Sequence, residues 1–326
     1  MEFRKFNSLE NSYRENFIHK IRGYGLENEK WVVTEKLHGC NYSFHVKVEN
    51  LIAVDVRPAK RSSFIQPDEK FHNHVPVYEN YAHKIMLLAQ QLVKYNELTD
   101  GVVVVYGELL GGSIQGGMAY PLEQDFAGFD ITVDGTPIDK RKAFSLMNEY
   151  EIPTVPVLGY TKSLSDALEW NESFITKKLR GGFDTENPQA EAEGVVIEPV
   201  NPHYLPSGER VYLKKKTKRF LEKGKNKIEK PKVSLNESLS KLLETSLEYI
   251  NENRFNAVVS KEGEVNIKMI GKIAGLMTQD IVVDIVKDGV VENLEVLGEV
   301  SEVKKFKQTL HGEVIGFIRP LLLKLD

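Results

Sequence analysis

The run Glu35-Lys36-Leu37-His38-Gly39-Cys40-Asn41 holds the side chain best suited to nucleophilic chemistry. A lysine amine attacks only when unprotonated, a state that desolvation and neighbouring cations favour. A glycine three positions on allows a tight turn between two strands, which can hold that amine at a nucleotide's α-phosphate. Further chemical groups follow along the chain. Lys60-Arg61 comes one hairpin later, Tyr106-Gly107-Glu108 ends an apolar run, and Phe129-Asp130 opens another. Glu193-Gly194-Val195-Val196-Ile197 puts a carboxylate at a strand start, and Lys214-Lys215-Lys216 lies near a strand end. Side chains alternate faces along a strand, so Lys214 and Lys216 share one face and Lys215 opposes them. Two cations on one face suit an α-phosphate and a departing pyrophosphate.

Other sites are excluded or disfavoured. There is no GxxxxGK[ST] loop, and the stretch with Gly111, Gly112, Gly116 and Gly117 has neither the P-loop lysine nor dinucleotide spacing. His72 and His74 form an HxH pair with no further ligand at a recognisable spacing, which favours a surface pair over a metal site. Cys40 is the only cysteine, so no intrachain disulfide is possible and an intracellular home is expected. No apolar run reaches the roughly 20 residues of a membrane span, and no membrane partner is expected. The N-terminal MEFRKFNSLENSY has no apolar secretory core, and Glu2 and Glu10 argue against a transit peptide.

The 326 residues are 41% hydrophobic and 28% charged, the composition of a soluble globular chain. Net charge is −4, yet Lys214 to Lys232 carries ten basic residues against Glu222 and Glu229, leaving −12 on the rest. Such segregation fits either a polyanion-binding segment or a solvated linker.

Those residues need elements to position them. Tyr42, Phe44, Val46 and Val48 alternate with polar residues, predicting a strand that pairs with Leu51–Val56 through a Glu49-Asn50 turn. Gly101–Glu108, Gly128–Val133, Gly194–Pro199 and Arg210–Lys216 read as strands, and Tyr78–Tyr95 and Lys140–Tyr150 as helices. After Pro231 the pattern is helical throughout, over Ser238–Arg254, Ile267–Val286 and Val300–Leu323, with Pro320 expected to kink or end the last.

The order KxxG, Arg, GE, Phe-Asp, EGVV, KxK resembles that of the covalent nucleotidyltransferases: DNA ligases, RNA ligases and mRNA capping enzymes. KxHGxN, with His38 where DNA ligases usually carry Asp, is similar to the RNA ligase 2 family of phage and kinetoplastid-type nick-sealing enzymes. The resemblance extends through FNSLENSY, RVYLKKK, PKVSLNESLSKLL and NRFNAVVSKEGEV, and so covers essentially the whole chain. It implies an α+β fold. A nucleotidyltransferase (ligase) domain of twisted antiparallel sheets with flanking helices would span 1–232, including a basic connector over 214–232. A small all-helical domain would follow over 233–326.

The resemblance also implies roles. Lys36 would attack the α-phosphorus of ATP to form lysyl-AMP, with Lys214, Lys216 and His38 as catalytic companions. Glu35, Lys36, Asn41, Arg61, Glu108, Phe129, Glu193, Lys214 and Lys216 would form the ATP site, with Phe129 stacked on adenine. Glu193 would organise Mg²⁺ or Mn²⁺, through water. Asn41, Gln115, Lys218, Arg219, Lys223 and Lys225 would meet RNA, a duplex with a nick or aligned ends. Ser62-Ser63 departs from the family's Thr-Gly after the arginine. A DNA ligase or GTP-using capping enzyme fits His38 and the helical C-terminus less well. A decayed, non-catalytic RNA-binding relative fits poorly with the retention of Lys36, Arg61, Glu108, Glu193, Lys214 and Lys216.

Overall fold

The computed structural model describes residues 1–112, 114–222 and 235–325. The chain forms two compact units, Met1–Arg219 and Phe220–Asp326. The first unit holds two five-stranded sheets. One has the order β1 (Glu10–Asn11), β10 (Leu213–Lys216), β9 (Gly194–Pro199), β2 (Trp31–Glu35), β8 (Val157–Thr161). The other has the order β4 (Ile52–Lys60), β3 (Cys40–Glu49), β5 (Gly101–Leu110), β6 (Asp125–Val133), β7 (Thr136–Pro137). Every pairing is antiparallel except β1 with β10, which is parallel.

Period-two alternation explains the second sheet. Tyr42, Phe44, Val46 and Val48 of β3 are buried in one cluster with Val77, Tyr81, Ile85, Leu88 and Leu92 of helix α2 (His74–Tyr95). The first sheet buries Trp31, Val33, Val195, Ile197 and Leu213 with Phe17, Ile18 and Ile21 of α1 (Glu15–Gly23) and Leu164 of α4 (Leu164–Leu168). Helix α3 (Lys140–Glu149) is capped by Asp139, whose side chain accepts from Arg141 N and Lys142 N.

Several local expectations shift. The β3–β4 turn falls at Asn50-Leu51, both with positive φ, one residue later than expected. The loop beside it sets this register: Leu51 N donates to Thr99 O at 2.8 Å and Asn50 N to Asp100 Oδ1 at 3.0 Å. His74 is not a surface residue. It is buried at the start of α2, with Nδ1 3.0 Å from the Tyr42 hydroxyl. The strand expected from Arg210 begins only at Leu213, because Arg210 makes an isolated bridge with Tyr204.

The second unit packs α5 (Glu237–Leu247), α6 (Glu252–Glu262), α7 (Ile270–Lys287) and α8 (Val300–Leu322) around Leu239, Leu243, Phe255, Ile273, Met277, Phe306, Leu310 and Val314. The continuous pattern over 238–254 is two helices, because Asn251 accepts from Arg254 N at 3.0 Å and starts a new N-cap. Arg254, almost wholly buried, then pairs with Asp280 at 2.5 Å and Asp284 at 2.8 Å. Helix α8 runs through Pro320 and ends two residues later, so the intrahelical bond forfeited by the missing Pro320 N–H falls in its last turn. Among the described residues no helix is long and apolar enough to cross a membrane.

Candidate active site

Strand register gathers the charges. Glu35, the last residue of β2, lies opposite Val195 of β9, and Lys216, the last of β10, lies opposite Gly194. Lys36 N then donates to Gly194 O at 2.9 Å as the chain leaves the first sheet for the second. Glu193, immediately before β9, therefore meets both lysines. Its Oε1 is 2.9 Å from Lys36 Nζ and 2.8 Å from Lys216 Nζ, and its Oε2 is 3.0 Å from His38 Nδ1. Gly194 has φ +147, and a Cβ there would overlap the Lys215 carbonyl oxygen and lie 2.8 Å from Lys216 Cα. The glycine thus permits the approach of β9 to β10 that brings Glu193 to Lys216. Burial pushes the Glu193 carboxyl toward its neutral form, but the charges of Lys216 and Lys36 prevail and hold its pKa well below the usual range.

The Lys36–Gly39 turn is clamped by side chains. His38 N donates to the Tyr120 hydroxyl at 3.0 Å and Gly39 N to Glu108 Oε1 at 3.1 Å, while Gln115 Nε2 donates to Gly39 O. Gly39 packs on β5, where a Cβ would overlap the Leu109 carbonyl oxygen and lie 2.9 Å from Glu108 Cγ. Burial raises the Glu108 carboxyl to about 7; Lys36 opposes the rise and Glu193 adds to it. Asn41 lies opposite Glu108 in the β3–β5 ladder and is half-buried.

Arg61, after β4, donates to Asn7 O at 3.4 Å and to Ser8 Oγ at 3.2 Å. Phe129 is the extra residue of a β-bulge, since Tyr106 pairs with Asp130 and Gly107 with Gly128. Bulges re-aim side chains beside active sites. The Phe129 ring is half-buried, with its centroid 4.9 Å from that of Phe6. Its carbonyl accepts from Lys140 Nζ at 2.7 Å.

The remaining expected residues divide. Lys214 lies two residues before Lys216 on the same side of β10. Lys215 points oppositely, to Leu168 O at 3.0 Å, Trp170 O at 2.8 Å and Glu172 at 2.9 Å. The Glu35 carboxylate turns from the lysine cluster to accept from Thr176 Oγ1 and from Lys177 N at 2.9 Å. Arg219 donates to Gly117 O and Pro188 O, tying two loops together, and Lys218 is exposed. Lys223 and Lys225 lie outside the described residues.

Sequence reasoning missed Tyr120, the N-terminal contacts to Arg61 and Phe129, and a buried charge quartet. Lys140 Nζ lies 3.0 Å from Asp130 Oδ1 and 2.9 Å from Glu198 Oε1. Arg210 contacts Asp130 Oδ2 through Nη1 and lies 3.3 Å from Glu198 Oε2 through Nη2. Glu198 inside the apolar run of β9 was the available signal, because a charge is seldom left unpaired in a buried strand. Tyr120 carried none.

Two largely antiparallel sheets, joined through a clamped lysine turn beside Glu193 and Lys216, make up a nucleotidyltransferase-type fold. Residues 29–216 match the RNA ligase family, more than half of the chain, and the chain belongs to that family. Residues 233–313 match the T4 RNA ligase 2 C-terminal family. The mitochondrial RNA-editing ligase 2 of Trypanosoma brucei brucei is 34% identical over 116 residues, which are 34% of this chain and 26% of that protein. The mitochondrial RNA-editing ligase 1 of the same organism is 33% identical over 98 residues, 30% of this chain and 21% of that protein. The chain thus spans about a quarter of the length of the curated relatives it matches. A solved structure of Naegleria gruberi RNA ligase with ATP and Mn aligns at 18% identity and TM-score 0.47, over 68% of this chain and 58% of that one.

Proposed function

We propose that the chain is an ATP-dependent RNA ligase that joins 3′-hydroxyl and 5′-phosphate ends, preferably at nicks in duplex RNA. The observation that carries this reading is the buried Glu193 carboxylate shared between Lys36 and Lys216 at the mouth of a side-chain-clamped turn.

In the first step the Lys36 amine forms a bond to the α-phosphorus of ATP, the bond to pyrophosphate breaks, and the amine proton is lost. In the second, the RNA 5′-phosphate displaces Lys36 and takes AMP. In the third, the RNA 3′-hydroxyl attacks that phosphate and AMP leaves. All three are phosphoryl transfers, where positioning and charge neutralisation dominate. Lys214 and Lys216 neutralise phosphate oxygens. Arg61 and Glu108 contact ribose and neighbouring phosphates, and Phe129 supplies the adenine platform. Bound Mg²⁺ or Mn²⁺ would supply further charge neutralisation. Glu193 suits it as a single buried carboxylate, because Mg²⁺ keeps several waters and takes one or two carboxylates plus substrate phosphates.

His38, Asn41 and Gln115 border the lysine turn, and we assign them to handling of the RNA ends. Lys218, Lys223 and Lys225 are assigned to the RNA backbone. Arg219, engaged with two loop carbonyls, is reassigned to shaping the loops beside the turn. The domain division at 232/233 is retained as a proposal, with the helical part contributing to duplex recognition by shape and phosphate contact.

The test is covalent labelling with ATP radiolabelled at the α-phosphate, for wild type and Lys36→Ala, followed by a chase with nicked duplexes carrying RNA or DNA on the 3′-hydroxyl side. The expected result is a labelled band lost in K36A and a chase into sealed product favouring RNA. Labelling by GTP instead points to a capping-type enzyme, and sealing favoured by DNA points to a DNA ligase. No label with either nucleotide, after discharge of any bound AMP, overturns the proposal.

A further inference from the structure

The N-terminal segment before α1 crosses the first unit along the residues assigned to the nucleotide. Phe6 is buried, with ring centroids 4.9 Å from both Phe129 and Tyr106 and 5.5 Å from Tyr212. The Arg210 guanidinium lies 5.7 Å from the Phe6 centroid. The next two residues, Asn7 through its carbonyl and Ser8 through its hydroxyl, receive the Arg61 guanidinium. The segment is anchored at both ends. Upstream, the Tyr106 hydroxyl donates to Arg4 O at 3.0 Å. Downstream, Glu10 N donates to Tyr212 O at 2.9 Å, Ser12 N to Lys214 O at 2.9 Å, and Asn11 pairs with Lys214. Arg14 and Glu10 form a buried ion pair at 2.5 Å.

We propose that residues Phe6–Ser8 form a positioning strap for the nucleotide, with Phe6 bracing the Phe129 ring and Asn7 and Ser8 aiming Arg61. The inference rests on the reading of Phe129 and Arg61 as nucleotide contacts. The physical case is one of freedom removed. Phe129 sits at a bulge, where the ladder is interrupted, so its ring needs support from outside the sheet. An arginine has many rotamers, and two acceptors from the strap restrict them before a ligand arrives. Because the same strap pairs with β10 at Lys214, it links base platform, arginine and phosphate-facing lysines in one short segment.

The test compares Phe6→Leu, Phe6→Ala, Ser8→Ala and Phe129→Ala in the full chain. The readouts are the ATP concentration for half-maximal lysyl-AMP formation, the maximal rate, and Tm. An aromatic pair of this kind is worth enough to shift the half-maximal ATP concentration roughly three- to tenfold. We expect that shift in F6A, a smaller one in volume-keeping F6L, and a maximal rate in F6L within about twofold of wild type. S8A is expected to raise the ATP requirement without moving Tm. Should F6A be too unstable to assay, F6L and S8A carry the comparison. A raised requirement in F129A with none in F6L or S8A overturns the strap while leaving the Phe129 reading intact. No change in F129A overturns that reading and the strap with it. A lower Tm and maximal rate at an unchanged ATP requirement marks Phe6 as structural only, which also overturns the proposal.

Discussion

Replacing Lys140 by methionine keeps most of the side-chain volume and removes one charge from the buried quartet. All three Lys140 ammonium protons have partners: the Phe129 carbonyl at 2.7 Å, Asp130 at 3.0 Å and Glu198 at 2.9 Å. Lys140 and Asp130 are wholly buried, and Glu198 and Arg210 nearly so. The quartet is neutral as built, so K140M leaves two carboxylates facing one guanidinium without water. Breaking a buried pair from one side costs about 3–5 kcal/mol. Burial already raises the Glu198 pKa against the pull of Lys140 and Arg210. Without Lys140 it rises further, and a proton taken up by Glu198 relieves part of the cost. The destabilisation should therefore be largest near pH 8 and smaller near pH 5.5. Both tryptophans, Trp31 and Trp170, lie in the Met1–Arg219 unit, so urea unfolding followed by their fluorescence reads that unit. Glu198→Gln with K140M should recover part of the loss, giving a coupling energy of about 0.5–3 kcal/mol. A K140M protein within about 1 kcal/mol of wild type at pH 8 would refute the view that these charges depend on one another.

Two further outcomes follow from the turn. The Glu108 carboxyl is raised by burial from 4.5 to about 7, so the folded chain holds its proton more tightly than the unfolded chain does. Its contribution is therefore fully present below pH 4.5 and declines as pH rises through 7, by up to about 1.4 kcal/mol per unit. Glu108→Gln, which cannot ionise, should gain stability relative to wild type between pH 5 and 8 in urea titrations, and a constant difference would contradict the raised pKa. Gly39→Ala drives a methyl into the Leu109 carbonyl and toward Glu108. Relieving that overlap displaces the turn by about 1 Å, which should slow the proposed lysyl-AMP formation about 100-fold while the protein stays folded, as read by a single-turnover labelling assay. Retention of wild-type labelling would show that the close packing of Gly39 on β5 is dispensable.

The residues proposed to carry chemistry were legible in the chain, because the candidate nucleophile, carboxylate and paired lysines each come with a local signature. KLHG announces a tight turn, EGVV a carboxylate at a strand start, and KKK at a strand end separates Lys214 and Lys216 from Lys215 by simple alternation. The helical C-terminal part was largely readable from its spacing, apart from the break that Asn251 introduces and the run of α6 beyond Arg254 to Glu262. Tertiary structure alone decided the partnerships. Glu193 reaches Lys36 and Lys216 only through the register of three strands distant in sequence. It also decided what the intervening polar residues do. Asp130, Lys140, Glu198 and Arg210 look like unrelated charges until folding removes water and makes them one another's counter-charges. Phe6, Asn7 and Ser8 open the FNSLENSY stretch that the sequence marked, but which residues they touch is set by what the segment crosses. Local pattern determines element and residue type because it acts over a few bonds, whereas a partner across the fold depends on register, bulges and burial that no short stretch encodes.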